Sequence, residues 1–530
     1  MIRSVGNRQL NMEQFAWQNQ IIGYDTVNQP NADFGVWVQN ALALMSDGGQ
    51  FYLDSKNGKV YYKPLAGENM ATAETYLGLL EAIVVVGGTY DNPAHDITFQ
   101  GITISHSTWL KPVQGYGYVD QQTGGYIGDN TTYPQFEATR PHWMQMPSAV
   151  QISAAQRVSF LGNNYTQLGA GGVGIGNDPN AHVSGVGLGA SDVTIGSGYF
   201  TQVMGNSITA GGIQANAHYP TNSRMINTRI NISNNIFFNT SALFSSTVPI
   251  SASYVQYSNI SHNDLFTAPY SGICIGYGWG SNDAGGSPEY QKRGLYNYQP
   301  KYTTPTTFQN VNVDANIVHR FGLSHTDLGG IYTLSKSPGS RITSNYVYDS
   351  QYYGLYDDEG SNSYVLTNNI LETKGPWSAI NGQNGGTTGN LTITGNWAPG
   401  ASGGNYAATD VSQTGTNGMR VAYRAGVEPR LRNGRPVSND QSLRDGNLDI
   451  SSGNGQVIVK ISNFDDVDFT GVTVSVSGGL TPVGTLPTTV PANSAATAAY
   501  RYSGNKPSVS VTVKYTNPRT GKAETLTGSG

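Results

Sequence analysis

Through the middle of this 530-residue chain, short apolar runs end on an asparagine at nearly even intervals. A β-branched residue is followed three positions later by asparagine at Val203–Asn206, Ile232–Asn235, Ile260–Asn263, Val313–Asn316, Ile342–Asn345 and Ile393–Asn396, with Leu366–Asn369 a near match. Successive asparagines stand 29, 28, 53, 29, 24 and 27 residues apart. A period of about 20 to 30 residues that joins short strands through Asn/Gly turns belongs to a stacked solenoid, because one such unit buries its apolar face only against its neighbours. The pattern predicts an all-β, right-handed parallel β-helix with three short strands per coil. Asparagine suits the turns in two ways: it tolerates the left-handed backbone region, and equivalent side chains on successive coils can form a hydrogen-bonded ladder.

The flanks read differently. Residues 1–90 predict a short helix over Trp37–Met45 and then a hairpin over Gln50–Tyr62, turning at Asn57-Gly58. The solenoid is assigned to residues 91–425, with its first readable strands in Asp96–Ile104. Two stretches break the rhythm. Residues 110–147 read as a long surface loop, and the 53-residue interval is one coil enlarged within residues 277–307, where Gly and aromatic residues crowd together. Residues 426–445 form a more basic linker containing Pro429 and Pro436. From 446 to 530 the chain alternates cleanly, as in Gln456–Ser462, Thr473–Ser477 and Ser508–Tyr515, which predicts a C-terminal immunoglobulin-like β-sandwich.

Low charge, 12% of residues, with 67 glycines could signal disorder, but 38% hydrophobic residues in periodic runs can build a core. A net charge of −5 and the lack of a Lys/Arg-dense run argue against nucleic acid as a partner, and no apolar run is long enough to span a bilayer. Oligomeric state is not legible. The single cysteine, Cys274, lies in an apolar run and reads as core; no internal disulfide can form. The chain opens Met1-Ile2-Arg3-Ser4 without the apolar segment of a secretory signal. The expectation is a secreted protein whose sequence here starts downstream of its native beginning, with the first 30 residues packed loosely over the open end of the solenoid.

Eight histidines show no metal-binding spacing, and there is no nucleophile elbow or phosphate loop, so neither a metal nor a cofactor is expected. The acids are more informative. Asp327 lies in Ser324-His-Thr-Asp-Leu-Gly-Gly-Ile-Tyr332, and Asp357-Asp358-Glu359 lie one coil later in Tyr353-Gly-Leu-Tyr-Asp-Asp-Glu-Gly360. Adjacent coils are about 4.8 Å apart, so a solenoid can hold two carboxyls across a groove, as glycoside hydrolysis requires. The stretches Gln50–Pro64, Ser271–Gly280, Asp327–Leu334 and Gly354–Ser361 resemble secreted right-handed parallel β-helix proteins around glycoside hydrolase family 141, which includes an α-L-fucosidase and xylanases; the likeness runs over about residues 15–430.

The resemblance implies an extracellular hydrolase of a plant or microbial polysaccharide. Asp327 matches the first acid of the family's D-x-x-x-I-Y motif, which ends here at Tyr332, and Asp358 matches the acid of its Y-L-D-E-G-S motif. Asp357 stands where an aliphatic residue is usual, so the choice among Asp357, Asp358 and Glu359 stays open. Substrate contacts are expected from Tyr277, Trp279, Tyr296 and Tyr298, whose flat faces suit sugar rings unless they merely pack the enlarged coil, and from His218, His325, Tyr332 and Asp357. Counted from the coil asparagines, Asp327 and Asp358 are offset by two residues, placing their α-carbons about 8 Å apart and suiting an inverting mechanism. Counted from Gly330 and Gly354 the offset is seven. Two other classes remain: a polysaccharide lyase using Lys292, Arg293 or Lys336 as base, and a non-catalytic carbohydrate-binding solenoid.

Overall fold

The computed structural model describes residues 2–15, 17–18, 38–112, 117–119, 122–128, 131–134, 136–178, 188–280, 282, 292, 301–382, 387–400, 406–409, 415–431, 445–517 and 521–530. Its body is a parallel β solenoid. Each coil contributes one strand to each of three faces, and every strand pairs in parallel with its equivalents above and below. The first face runs from Val84–Gly87 through Ser148–Ser153, Ile250–Ala252, Ile273–Ile275, Gly329–Thr333 and Tyr353–Asp357 to Ser378–Ile380. The second begins at Ala94–Gln100 and the third at Thr103–Ser107. Val158, Phe160, Val173, Ile175, Ile195 and Ile232 point inward and are at most 1% exposed. Tyr165, Phe200 and Phe237, from successive coils, stack inside with centroids 4.2 and 4.8 Å apart.

The asparagines work as a ladder, though not quite as expected. Asn235, Asn263, Asn316, Asn345, Asn369 and Asn396 line the turn between the second and third faces, each fully buried. In the first five, Nδ2 donates to the Oδ1 of the next asparagine at 2.9–3.0 Å, and in all six it donates to a backbone carbonyl of the coil before. The left-handed residue is the one preceding the ladder position: Asn234, His262, Ala315, Ser344 and Asn368 all have φ between 54° and 59°. Asn206 is not a rung. It lies in the turn before the first face, where its Nδ2 donates to the carbonyls of Gln122 and Val248; the rung of its coil is taken by Gly198.

Residues 110–147 are no surface loop. Their described part forms an antiparallel sheet of Tyr118–Val119, Gly125–Ile127 and Trp143–Gln145 with a 3-10 segment over Phe136–His142. Ile127, Arg140, Trp143 and Gln145 are at most 2% exposed, because this sheet is packed against the outside of the first face. It is tied there by Asn206 to Gln122, by Gln145 to the Gly211 carbonyl and by Gln214 to the Trp143 carbonyl.

The hairpin forms from Phe51–Asp54 and Lys59–Tyr62. Of the expected helix over 37–45, only a 3-10 turn at Leu42–Leu44 forms; Trp37 lies outside the described residues, as do residues 19–36. After the last coils a helix, Gly415–Arg424, crosses to the C-terminal unit, where Tyr423 donates to Asp465 at 2.8 Å. That unit is two four-stranded antiparallel sheets facing each other over Val457, Val459, Ile461, Val511, Val513 and Tyr515.

Candidate active site

The late coils carry an aromatic outer surface on the first face. Ser251, Cys274, Tyr332, Tyr356 and Ala379 are register partners on five successive strands and point outward. Cys274 is therefore buried in an outer-face cluster with Val248, Tyr332, Leu334 and Tyr356, and burial pushes its thiol well above the usual range, which makes it inert as a nucleophile.

Strand parity separates the three consecutive acids. Leu355 faces the solenoid core, so Asp357, two residues on, faces inward with it, while Tyr356 and Asp358 face out. Asp357 is fully buried; its Oδ1 accepts from Thr333 Oγ1 at 2.8 Å, its Oδ2 has no hydrogen-bond partner among the described residues, and burial pushes its pKa up to about 7. It is no substrate contact. Asp358, 6% exposed, accepts from the Tyr332 hydroxyl and, at 2.8 Å, from Asn381 Nδ2 on the next coil. Burial holds its carboxyl above the ordinary range; the Tyr332 and Asn381 donors oppose that shift, and the charge of Asp327 adds to it.

The paired strands set Gly330 against Gly354, so the true offset between Asp327 and Asp358 is seven residues. The asparagine count failed because the connections into the first face differ: residues 322–328 lead into Gly329–Thr333, whereas only 349–352 lead into Tyr353–Asp357. The offset does not separate the acids as an extended strand would. The chain folds back at Asp327, a non-glycine residue at φ 56°, and its carbonyl accepts from the Tyr270 hydroxyl at 2.9 Å. The exposed Asp327 carboxyl then accepts from the Tyr356 hydroxyl at 3.0 Å. Tyr332 and Tyr356 meet edge to face with centroids 5.0 Å apart, so each carboxyl is held by its own tyrosine on neighbouring coils. His325 stands beside this group, its Nε2 2.8 Å from Ser245 Oγ and its ring against the edge of Tyr270.

Glu359 is buried at the following turn. There Gly360, at φ 77°, lies so close to Gly280 that a Cβ would stand 2.4 Å from the Gly280 carbonyl oxygen, bringing the Trp279 segment against the acidic turn. The Trp279 ring is already occupied: the Arg140 guanidinium lies 3.8 Å from its centroid and 4.7 Å from that of Trp143. Tyr277 is 2% exposed and packs on Tyr254 and Trp279. Both aromatics therefore pack the enlarged coil and the 110–147 sheet. Tyr296, Tyr298 and Arg293 lie outside the described residues. His218 is also structural: it is 1% exposed, its Nε2 donates to the Ile213 carbonyl at 2.7 Å, and its ring packs on Tyr254.

No family model and no curated protein matches the chain. Among solved structures, a protein described as a glycoside hydrolase is similar with a TM-score of 0.54 and 24% identity, over 74% of this chain and 61% of its own. The chain shares that protein's fold. It spans only 61% of the neighbour's length, and at 24% identity the likeness is one of architecture. The catalytic domain of a GH87 α-1,3-glucanase variant in complex with tetrasaccharides aligns over 47% of this chain and 50% of its own, with 12% identity and a TM-score of 0.18, which carries no argument.

Of the expected site residues, the structure brings together Asp327, Asp358, Tyr332 and His325, with Glu359 and Trp279 at the edge. Tyr270, Tyr356 and Asn381 were missed. Asn381 was within reach of the sequence, since it stands one coil beyond Asp358 in register.

Proposed function

We propose that this chain is a secreted glycoside hydrolase, related to the family 141 enzymes its motifs resemble, that cleaves a plant or microbial polysaccharide with Asp358 as general acid and Asp327 as the second carboxyl. The observation that carries this reading is the unlike setting of two neighbouring carboxyls. Asp358 is buried and held above the ordinary carboxylate range, the setting of a general acid, whereas Asp327 is exposed and accepts from the Tyr356 hydroxyl. Each carboxyl bonds to a different tyrosine rather than to the other.

Donors to both acids are neutral, from Tyr332, Asn381 and Tyr356. Among the described residues no ion pair joins a cation to either acid. The test is a screen of defined glycans with product analysis on the native protein and on Asp327→Asn and Asp358→Asn. Loss of about 10³-fold or more in kcat with the fold intact is expected for each. Retained activity removes that residue from the mechanism. Unsaturated uronide products absorbing in the ultraviolet would establish a lyase, and binding without any cleavage would establish a non-catalytic solenoid.

A further inference from the structure

The two carboxyls do not share their hydrogen-bond donors. Asp327 is served by the Tyr356 hydroxyl, while its carbonyl is pinned by Tyr270. Asp358 is served by Tyr332 from the coil before and by Asn381 from the coil after. The Tyr356 ring meets that of its register partner, Tyr332, edge to face, and packs on Tyr353 at 5.1 Å. Nothing in core packing requires the hydroxyl itself: a phenylalanine ring would make the same contacts. We propose that Tyr356 is a positioning residue for Asp327 and Asn381 a positioning residue for Asp358, so that separate side chains hold the two carboxyls.

This deepens the hydrolase reading and rests on it. A donor to a carboxylate favours the charged form, so deleting it moves that carboxyl's titration upward. The charged and titratable groups around Asp327 are the hydroxyls of Tyr356 and Tyr270, the Asp358 carboxyl, and His325 two residues before it. Those around Asp358 are Tyr332, Tyr270, Tyr356, Asp327 and Glu359. Removing a single neutral donor leaves these charges in place.

The experiment is the pH profile of kcat/KM for Tyr356→Phe and Asn381→Ala, each checked for native thermal stability. For Tyr356→Phe, kcat is expected to fall about 10-fold with little change in KM, and the alkaline limb to stay where it is. For Asn381→Ala the alkaline limb, where Asp358 loses its proton, is expected to move up by about one unit and the acid limb to stay. Carbon-detected NMR of the Asp327 carboxyl in the substrate-free protein gives a second readout: its chemical shift is expected to move in Tyr356→Phe and to stay in Asn381→Ala. An unchanged kcat and Asp327 carboxyl signal in Tyr356→Phe, or an alkaline limb that stays put in Asn381→Ala, overturns the proposal even if Asp327→Asn and Asp358→Asn are dead. If those two variants keep full activity, the hydrolase reading falls first and the proposal with it.

Discussion

Replacing Asp357 by asparagine isolates the effect of a carboxyl sealed inside the solenoid. Its pKa stands at about 7 in the folded chain, against 3.8 for an ordinary aspartate, because burial penalises the charge and only Thr333 offsets it. The sign follows from linkage. Between about pH 4 and pH 7 the folded state keeps a proton that the unfolded state has released, so stability falls as pH rises through that window and levels off above it. The full penalty is about 3.2 pH units at about 1.4 kcal/mol each, or roughly 4 kcal/mol. About 2 kcal/mol of it is already felt at pH 5, leaving about 2–3 kcal/mol to develop between pH 5 and pH 8. Asparagine cannot ionise, and its Nδ2 takes the place of the unpartnered Oδ2, so the two proteins should be matched at low pH within about 1 kcal/mol. Chemical denaturation followed by tryptophan fluorescence at pH 5, 6, 7 and 8 measures the difference, and titrations common to both proteins cancel. Asp357→Asn should gain on the native chain steadily as pH rises. Parallel stability curves would show that Asp357 is ionised or solvated in the fold, and the inward assignment would fail.

Three further outcomes follow from the geometry. Asn316→Ala removes one rung, leaving the Asn263 backbone N–H without its acceptor and taking one partner each from the Asn263 side-chain amide, the Ile260 carbonyl and Asn345 Oδ1; thermal or urea denaturation should show a loss of about 3–5 kcal/mol. Gly360→Ala puts a Cβ against the Gly280 carbonyl at a positive φ, and should cost about 2–4 kcal/mol in the same assay while lowering activity by displacing the Trp279 segment from the acidic turn. Arg140→Leu removes a buried cation between two indoles; a stability loss of about 2 kcal/mol and a change in tryptophan emission are expected, with glycan specificity unaltered if Trp279 is packing rather than platform.

The solenoid was legible because every coil repeats one local demand. A buried asparagine at the same corner satisfies the coil on either side, so selection for the ladder writes a period into the sequence. Asn206 shows how such a signal can mislead: it fits the spacing from Asn235 yet serves another corner, and its neighbours in space identify it where its neighbours in sequence do not. The 110–147 sheet was illegible for the opposite reason. It occurs once, its strands are two or three residues long, and it is buried by tertiary packing rather than by its own pattern. The direction of Asp357 was available from parity, since Leu355 must face the core. Its partner in register is Thr333, a polar residue inside the previous coil, which already marked that layer as one where a carboxyl could be housed.

The same contrast explains where chemistry can reside on this scaffold. Along the early coils the outward row of the first face, including Gln151, Thr209 and Ser251, is at most 4% exposed beneath the 110–147 sheet. On the late coils that row turns aromatic, and it is there that the long connection 322–328 folds back to lay an exposed carboxylate beside a buried one. Coil geometry alone would have left Asp327 about seven strand residues from Asp358, a span of roughly 23 Å at 3.3 Å per residue. The irregular connection closes that gap, at the expense of the left-handed backbone at Asp327 and with the help of two tyrosine hydroxyls that a regular solenoid does not need. The loop, rather than the repeat, therefore sets where Asp327 lies relative to Asp358.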